Sequence, residues 1–520
     1  MNSINRRQIT TFMAAGLISP SILSACSKKV PEKGIMRIAL RGEADSLDPF
    51  RAEFAIADLI FPQYLLPLVG FGDNSTTIPS IASSWEGVDN FTSWIFTLNP
   101  NLKWSDGAPL TANDVLQSFR RGANWKTAFP DAPELYSIKG YEEIIKNKGN
   151  PEDIGVSIVA PNKIKIDLVA PEAQFPAQLR EFYPIPTHVF NKYGDDWTKL
   201  ENIVVSGPYK PVIYNQTRIR FAKNPNGDWA SLGFNPNLPN MIDVDTVQES
   251  ATRIRMYQAG DVDLSQDPAL LRYTDLKEKY GDKFLRMPAP LLIYISLNTK
   301  RPQLQDMDIR RALGMAINRE IISHNLLRDA VHPANRMVRT EPLLPFDREG
   351  ARKILEAKGY NANNPLKLDL LVPKDDRERA AVQIVNSWKQ IGVEATISST
   401  DSSAISARLN GHDFDAALVK IDKGLKTDPI DLMASFASGG NAYSHQWINH
   451  DFDAALKKAR SIADEKQRHE AVLAAEKYII DEAPILPIWF GDSAWLISDR
   501  IKGGRKGIPP VIWPTLELKS

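Results

Sequence analysis

Cysteine occurs once in these 520 residues, at position 26, so no internal disulfide can staple the fold. Histidine is also scarce: seven are scattered along the chain, and His445 and His450, the closest pair in its C-terminal half, lack the spacing of a metal-binding helix. No Gly-x-Ser-x-Gly elbow, His-Glu-x-x-His helix or phosphate-cradling glycine loop is present, so no catalytic residue, metal site or cofactor is expected. Charge of one sign is lacking too. Sixty-three basic residues balance sixty-three acidic ones, which excludes the basic footprint of a nucleic-acid binder. Beyond the first 26 residues no run is long and apolar enough to span a bilayer, and no internal repeat or low-complexity tract appears.

What is present begins at the N-terminus. Arg6 and Arg7 precede the apolar run Phe12–Ile18 and then Leu23-Ser-Ala-Cys26, the order of an export signal. Its apolar run is about half the ~20 residues that cross a bilayer core. Leu23-Ser-Ala-Cys26 resembles a bacterial lipobox, which implies cleavage before Cys26 and acylation of its sulfur. Asn5-Arg-Arg-Gln-Ile9 resembles a twin-arginine signal with Thr10 where Lys is usual, so twin-arginine and general secretion both stay open. The expected layout is a signal peptide over 1–25 and a charged, lipidated tether over 26–34, with globular structure from Ile35.

Periodicity predicts a mixed α/β chain, large enough for two or more lobes. Met36–Leu40, Trp94–Leu98, Leu291–Leu297, Leu366–Val372 and Ala416–Ile421 alternate or run apolar like strands, and Ile154–Val169 reads as a hairpin about Pro161-Asn162. Thr111 caps a predicted helix through Arg120. Further amphipathic helices are expected over Asp308–Ile322, Asp347–Lys358, Arg377–Ile391, Asp451–Ile462 and Glu465–Asp481.

Ordered through these elements are Ser46-Leu-Asp-Pro49, Pro79-Ser-Ile-Ala-Ser-Ser-Trp85, Leu102-Lys-Trp-Ser-Asp-Gly107, Pro109-Leu-Thr-Ala-Asn-Asp-Val115, Ser206-Gly-Pro-Tyr209, Tyr257-Gln-Ala-Gly-Asp-Val-Asp263, Ile309–Arg319 and Asp428-Pro429. Each alone reads as scaffold: a turn, a strand end or a buried helix face. Together, in this order, they make the chain from Ile35 onward resemble the peptide/nickel class (family 5) of extracellular solute-binding proteins that serve ABC importers. The resemblance implies an α/β, two-lobed, hinged periplasmic-binding-protein fold, a "Venus flytrap" with an additional small domain. The first lobe would comprise 35–60, 183–288 and 489–520, the extra domain 61–182 and the second lobe 289–488.

It also implies a monomer that captures oligopeptides and delivers them to ABC permease subunits with their ATPases, held to a membrane through Cys26. By position, the main chain of Glu53, Phe54 and Ala55 would contact the ligand. Family members place an amine-binding Asp three residues before an acidic-Pro pair; here Leu425 stands there. Asp422, between Ile421 and Lys423, is the nearest upstream carboxylate and the candidate counter-ion. Arg328 and Arg377 are the candidates for a ligand carboxylate, by the planar fork of the guanidinium. Trp388, Trp447, Trp489 and Trp495 read as core. Because of Leu425, a cell-wall peptide, nickel chelate, haem or oligosaccharide cargo, or a sensory role, stays an alternative.

Overall fold

The structure is a computed structural model describing residues 34–54, 56–440 and 442–519. The lipobox and Cys26 lie outside the described residues, as does Ala55.

One large mixed sheet runs through the molecule. Its strands follow the order 393–400, 366–373, 416–422, 284–297, 485–497, 264–266, 35–40, 241–246, 218–223 and 209–214. The first three belong to one lobe and the last five to the other. Only 284–297 and 485–497, of 14 and 13 residues, are long enough to serve both. They run antiparallel: Phe284–Pro288 pair with Asp492–Leu496 in the first lobe, and Leu292–Ser296 with Ile485–Phe490 in the second.

Between those halves the register shifts. Two prolines, Pro288 and Pro290, supply no N–H to the ladder there, which confines regular pairing to either side. Opposite them stands Gly491, where a Cβ would lie 2.6 Å from Leu291 Cδ2. Beside this crossover the buried Asp492 carboxylate accepts hydrogen bonds from Arg286 Nη2 at 2.9 Å and Arg339 Nη2 at 2.8 Å, and faces His332 Nε2 at 3.0 Å. The lobes are therefore joined by two strands that are thinned at one level and pinned by charge.

In the second lobe, helices cover both faces of the sheet and make two apolar cores. One holds Trp388 and Trp489, the other Trp447 and Phe452. Strand 485–497 is buried along nearly its whole length, its apolar runs 485–490 and 494–497 interrupted only by Gly491-Asp-Ser493 at the crossover. In the first lobe the core around Ile38, Tyr64 and Trp513 continues into a smaller antiparallel sheet of order 82–88, 93–98, 163–167, 156–160. Helix Ala112–Ala123 packs on that sheet; at its start Asp114 Oδ2 accepts from the Thr111 backbone N–H at 2.8 Å.

The strands and the hairpin follow their sequence patterns, while one helix is shorter than its pattern. The expected helix over 308–322 ends at Met315, and a π-turn spans Ile321–Leu326. Arg319 causes the break. Its guanidinium is buried and donates to the carbonyls of Gly314, Ile317, Ala334 and Pro487, two of which would otherwise serve a continuing helix. All four tryptophans read as core are buried.

Candidate functional site

Carboxyl ends of parallel strands open onto the groove between lobes, where α/β folds place their ligands. Strand Ile35–Leu40 brings Arg41 to this groove from the first lobe. Its parallel pairing, Ala39 opposite Ser265, sets Asp267 beside Arg41, and the Arg41 N–H donates to Gln266 Oε1 at 3.2 Å. Asp58 enters from the first turn of helix Ile56–Tyr64.

From the second lobe comes strand Ala416–Asp422. One edge pairs fully with 291–297, but the other meets strand 366–373 only at Ala416 and Ala417. Leu418 to Asp422 thus keep an edge that no described strand fills. Side chains alternate along a strand, so Lys420 and Asp422 share a face, about 7 Å apart.

The small sheet's neighbourhood closes the third side. Glu134 Oε1 accepts from Lys423 Nζ at 2.8 Å and Glu134 Oε2 lies 3.2 Å from Lys426 Nζ, which also stands 3.3 Å from Glu181. Leu425, between those lysines, packs against the first-lobe core. A second cross-connection joins Arg460 to Glu172, and the Ala173 N–H to the Arg460 carbonyl at 2.9 Å. Loop 423–426 is thereby clasped by the opposite wall.

Charge in the groove is only partly compensated. Burial opposes ionisation of Glu134, but Lys426 and Lys423 outweigh it and hold its carboxyl down to about 2. Asp58 is the opposite case. It is open to solvent, yet the groove walls crowd it; that low-dielectric surround, then Glu181 and Asp131, push its carboxyl well above the ordinary range. Burial likewise raises Asp422, against the Gly424 N–H it accepts, and raises Asp267 despite Arg41 and Arg253. None of the three has an ion-pair partner within 4 Å among the described residues. Lys420 is depressed by burial and by the nearby charge of Arg41.

The residues singled out from sequence fall in four places. Asp422 lines the groove, with Ile421 beside it. Lys423 reaches the groove but spends its ammonium on Glu134. Glu53 and Phe54 are exposed, and the Asp45 carboxylate takes their N–H groups, Glu53 at 2.6 Å and Phe54 at 3.4 Å. Arg377 is held in a fork by Asp375, while Arg328, with a left-handed backbone, lines a separate cavity of about 600 Å³ beside Tyr273 and Arg286. Those two arginines do not meet. Arg41, Asp58, Asp267, Glu134, Glu181, Lys420 and Lys426 carried no motif. Only the alternation of Lys420 and Asp422 on one strand was a signal in the sequence.

A hinged pair of lobes around a charged groove with an open strand edge defines a solute-binding protein. The family profile for bacterial extracellular solute-binding proteins, family 5 (middle region), matches residues 76–444, and the chain belongs to that family. Among curated relatives, the probable deoxycholate-binding periplasmic protein YgiS of Escherichia coli is 26% identical over 97% of this chain and 96% of its own. The periplasmic oligopeptide-binding protein OppA of Salmonella typhimurium is 25% identical over 98% of both. Among solved structures, the E. coli murein tripeptide binding protein MppA superposes with a TM-score of 0.79 at 25% identity, covering 93% of this chain and 98% of that one. In the described residues no helix is long and apolar enough to cross a membrane, and no His, Cys, Asp and Glu cluster has the makings of a metal site.

Proposed function

We propose that this protein captures oligopeptides in the interlobe groove outside the cytoplasmic membrane and delivers them to an ABC permease, as a monomer tethered through acylated Cys26. The supporting observation is the free edge of Leu418–Asp422, ending at a carboxylate that no cation among the described residues reaches within 4 Å. An extended peptide can add to that edge through main-chain hydrogen bonds, which are common to all sequences. Its α-ammonium then answers Asp422 and Asp58, neither of which has an ion-pair partner within 4 Å among the described residues and both of which the groove walls crowd. Leu425 no longer offers a carboxylate, and its neighbours Lys423 and Lys426 bring their own cations to the far wall. Asp422 is the amine counter-ion in this reading. The strand crossover at 288–291 and 491 supports the lobe division 35–60, 183–288 and 489–520 against 289–488, with 61–182 as the extra domain.

Native mass spectrometry of protein isolated from its own envelope tests the cargo. Co-purifying peptides support the proposal; a bile-acid or other non-peptide ligand sinks it. For the anchor, the Cys26→Ser chain should leave the membrane fraction, and its retention there would remove Cys26 from that role.

A further inference from the structure

Apart from the groove, the cavity of about 600 Å³ beside the lobe crossover is of the size that holds small molecules. Its floor is apolar: Tyr273 and Phe284 meet edge to face, ring centroids 5.2 Å apart, with Leu285 beside them. Its walls carry charge, and most of that charge is spent. Arg286 serves Asp492, Lys277 stands 3.7 Å from Asp282, and Asp329 pairs with His324. Three polar groups remain. The Arg328 guanidinium and the Glu278 carboxylate have no ion-pair or hydrogen-bond partner among the described residues, and they do not reach each other within 4 Å. The hydroxyl of Tyr273, which lines the cavity at 3% exposure, has no hydrogen-bond partner among them either.

These groups are held in place by the first lobe. Thr274 Oγ1 donates to the Arg328 carbonyl at 3.2 Å, Arg286 Nη1 donates to the Asp329 carbonyl at 2.9 Å, and Ala330 is buried in the same cluster as Tyr273, Leu276 and Phe284. Segment 328–330 is thereby fixed against helix Tyr273–Tyr280, with Arg328 and Asp329 both in the left-handed backbone region. Glu278 follows Thr274 by four residues, so it shares a helix face with the hydroxyl that holds Arg328. An acid and a base thus flank one apolar floor without neutralising each other.

We propose that this cavity is a second small-molecule site, separate from the groove, which takes a free amino acid with an apolar side chain. The ligand's carboxylate meets the planar fork of Arg328, with the Tyr273 hydroxyl as a further donor, and its ammonium meets Glu278. Its side chain lies on Leu285 and the Tyr273–Phe284 pair. A zwitterion answers both unpaired charges at once, whereas an anion alone would face Glu278 and a cation alone would face Arg328. The gap of more than 4 Å between those residues suits a ligand whose own two charges sit one carbon apart and which meets each wall at about 2.8 Å. The site stands whether or not the groove carries a peptide.

Titration calorimetry with phenylalanine, phenylalanine amide, N-acetylphenylalanine and glycine tests the assignment. The wild type should bind phenylalanine at least about tenfold more tightly than the other three, since the amide lacks the carboxylate, the acetyl form lacks the ammonium and glycine lacks the side chain. Arg328→Gln and Glu278→Gln should each weaken phenylalanine by at least about tenfold. Both residues are exposed and neither substitution changes the size of the side chain much, so both variants keep the fold. Three results overturn the site: no binding of phenylalanine by the wild type, binding of a blocked form or of glycine as tight as that of phenylalanine, or phenylalanine affinity retained in either variant.

Discussion

Neutralising Glu134 should open the molecule. In the structure this carboxylate faces two ammonium groups from the second lobe, Lys423 at 2.8 Å and Lys426 at 3.2 Å, and the lysine side chains are only 7% and 12% exposed. Glu134 itself is 30% exposed, so solvent screening cuts its contribution. Displacement of its carboxyl from 4.5 to about 2 corresponds to roughly 3 kcal/mol between its ionisation states. Discounted for screening, about 2 kcal/mol of closure free energy resides in the clasp, or about 30-fold in the closing equilibrium. Glu134→Gln should therefore weaken the apparent affinity for a bound peptide up to about 30-fold and raise the radius of gyration of the ligand-free protein in X-ray scattering. A double-mutant cycle with Lys423→Gln should return a coupling of about 1 kcal/mol or more. Affinity within twofold of wild type, together with an unaltered scattering curve, would refute the clasp. The pH dependence carries its own sign. Once parted from the lysines, Glu134 regains a value near 4.5, so the clasp is at full strength above that pH and fades as pH falls towards 2.

Three further outcomes follow from named groups. Asp58, Asp267 and Asp422 are raised chiefly by desolvation between the groove walls, so they protonate above the ordinary 3.8; affinity for free-amine peptides should fall as pH drops through that higher range, while N-acetylated peptides lose less, as titration calorimetry from pH 8 to 4 will read. Asp48→Asn should cost about 3–5 kcal/mol in urea unfolding, because the carboxylate accepts from Arg121 Nη1 at 2.7 Å, Arg121 Nη2 at 2.6 Å, the Trp197 indole at 3.1 Å and the Phe50 N–H at 3.0 Å, all buried; a loss under 1 kcal/mol would show that Arg121 finds other partners. Gly491→Val should impair lobe closure and peptide affinity before it impairs folding, since its side chain meets Leu291 at the crossover while each lobe keeps its own core; a variant with unchanged affinity would place the bending elsewhere.

The contrast between Asp48 and Asp422 shows what the sequence can and cannot tell. Asp48 sits in Ser-Leu-Asp-Pro, and its role is to bind an arginine, an indole and a turn within one lobe. Such a residue is constrained by its own fold, so it appears as a motif; the same holds for Arg319, which stops a helix to collect four carbonyls, though the pattern of apolar positions alone ran the helix past it. Strands and cores were legible for this reason, since alternation and apolar runs are local. The groove is not local. Arg41 and Asp58 come from one stretch of the first lobe and Asp267 from another some 200 residues on, Lys420 and Asp422 from the other lobe, and Glu134 and Glu181 from beside the small sheet. None gains from its sequence neighbours, and each is ordinary until the lobes meet. Arg328 and Arg377 illustrate the converse, arginines chosen by sequence position that the fold sends to a side cavity and to Asp375. Leu425 could be seen from sequence as a missing carboxylate, but its consequence could not. In the fold it lies on the first-lobe core between two lysines that reach Glu134 and Glu181, so the loop that would have met the ligand's amine instead holds the lobes together. In the proposed reading the amine then falls to Asp422 and Asp58, and the free edge of 418–422, which ends at Asp422, is where the ligand's main chain would pair.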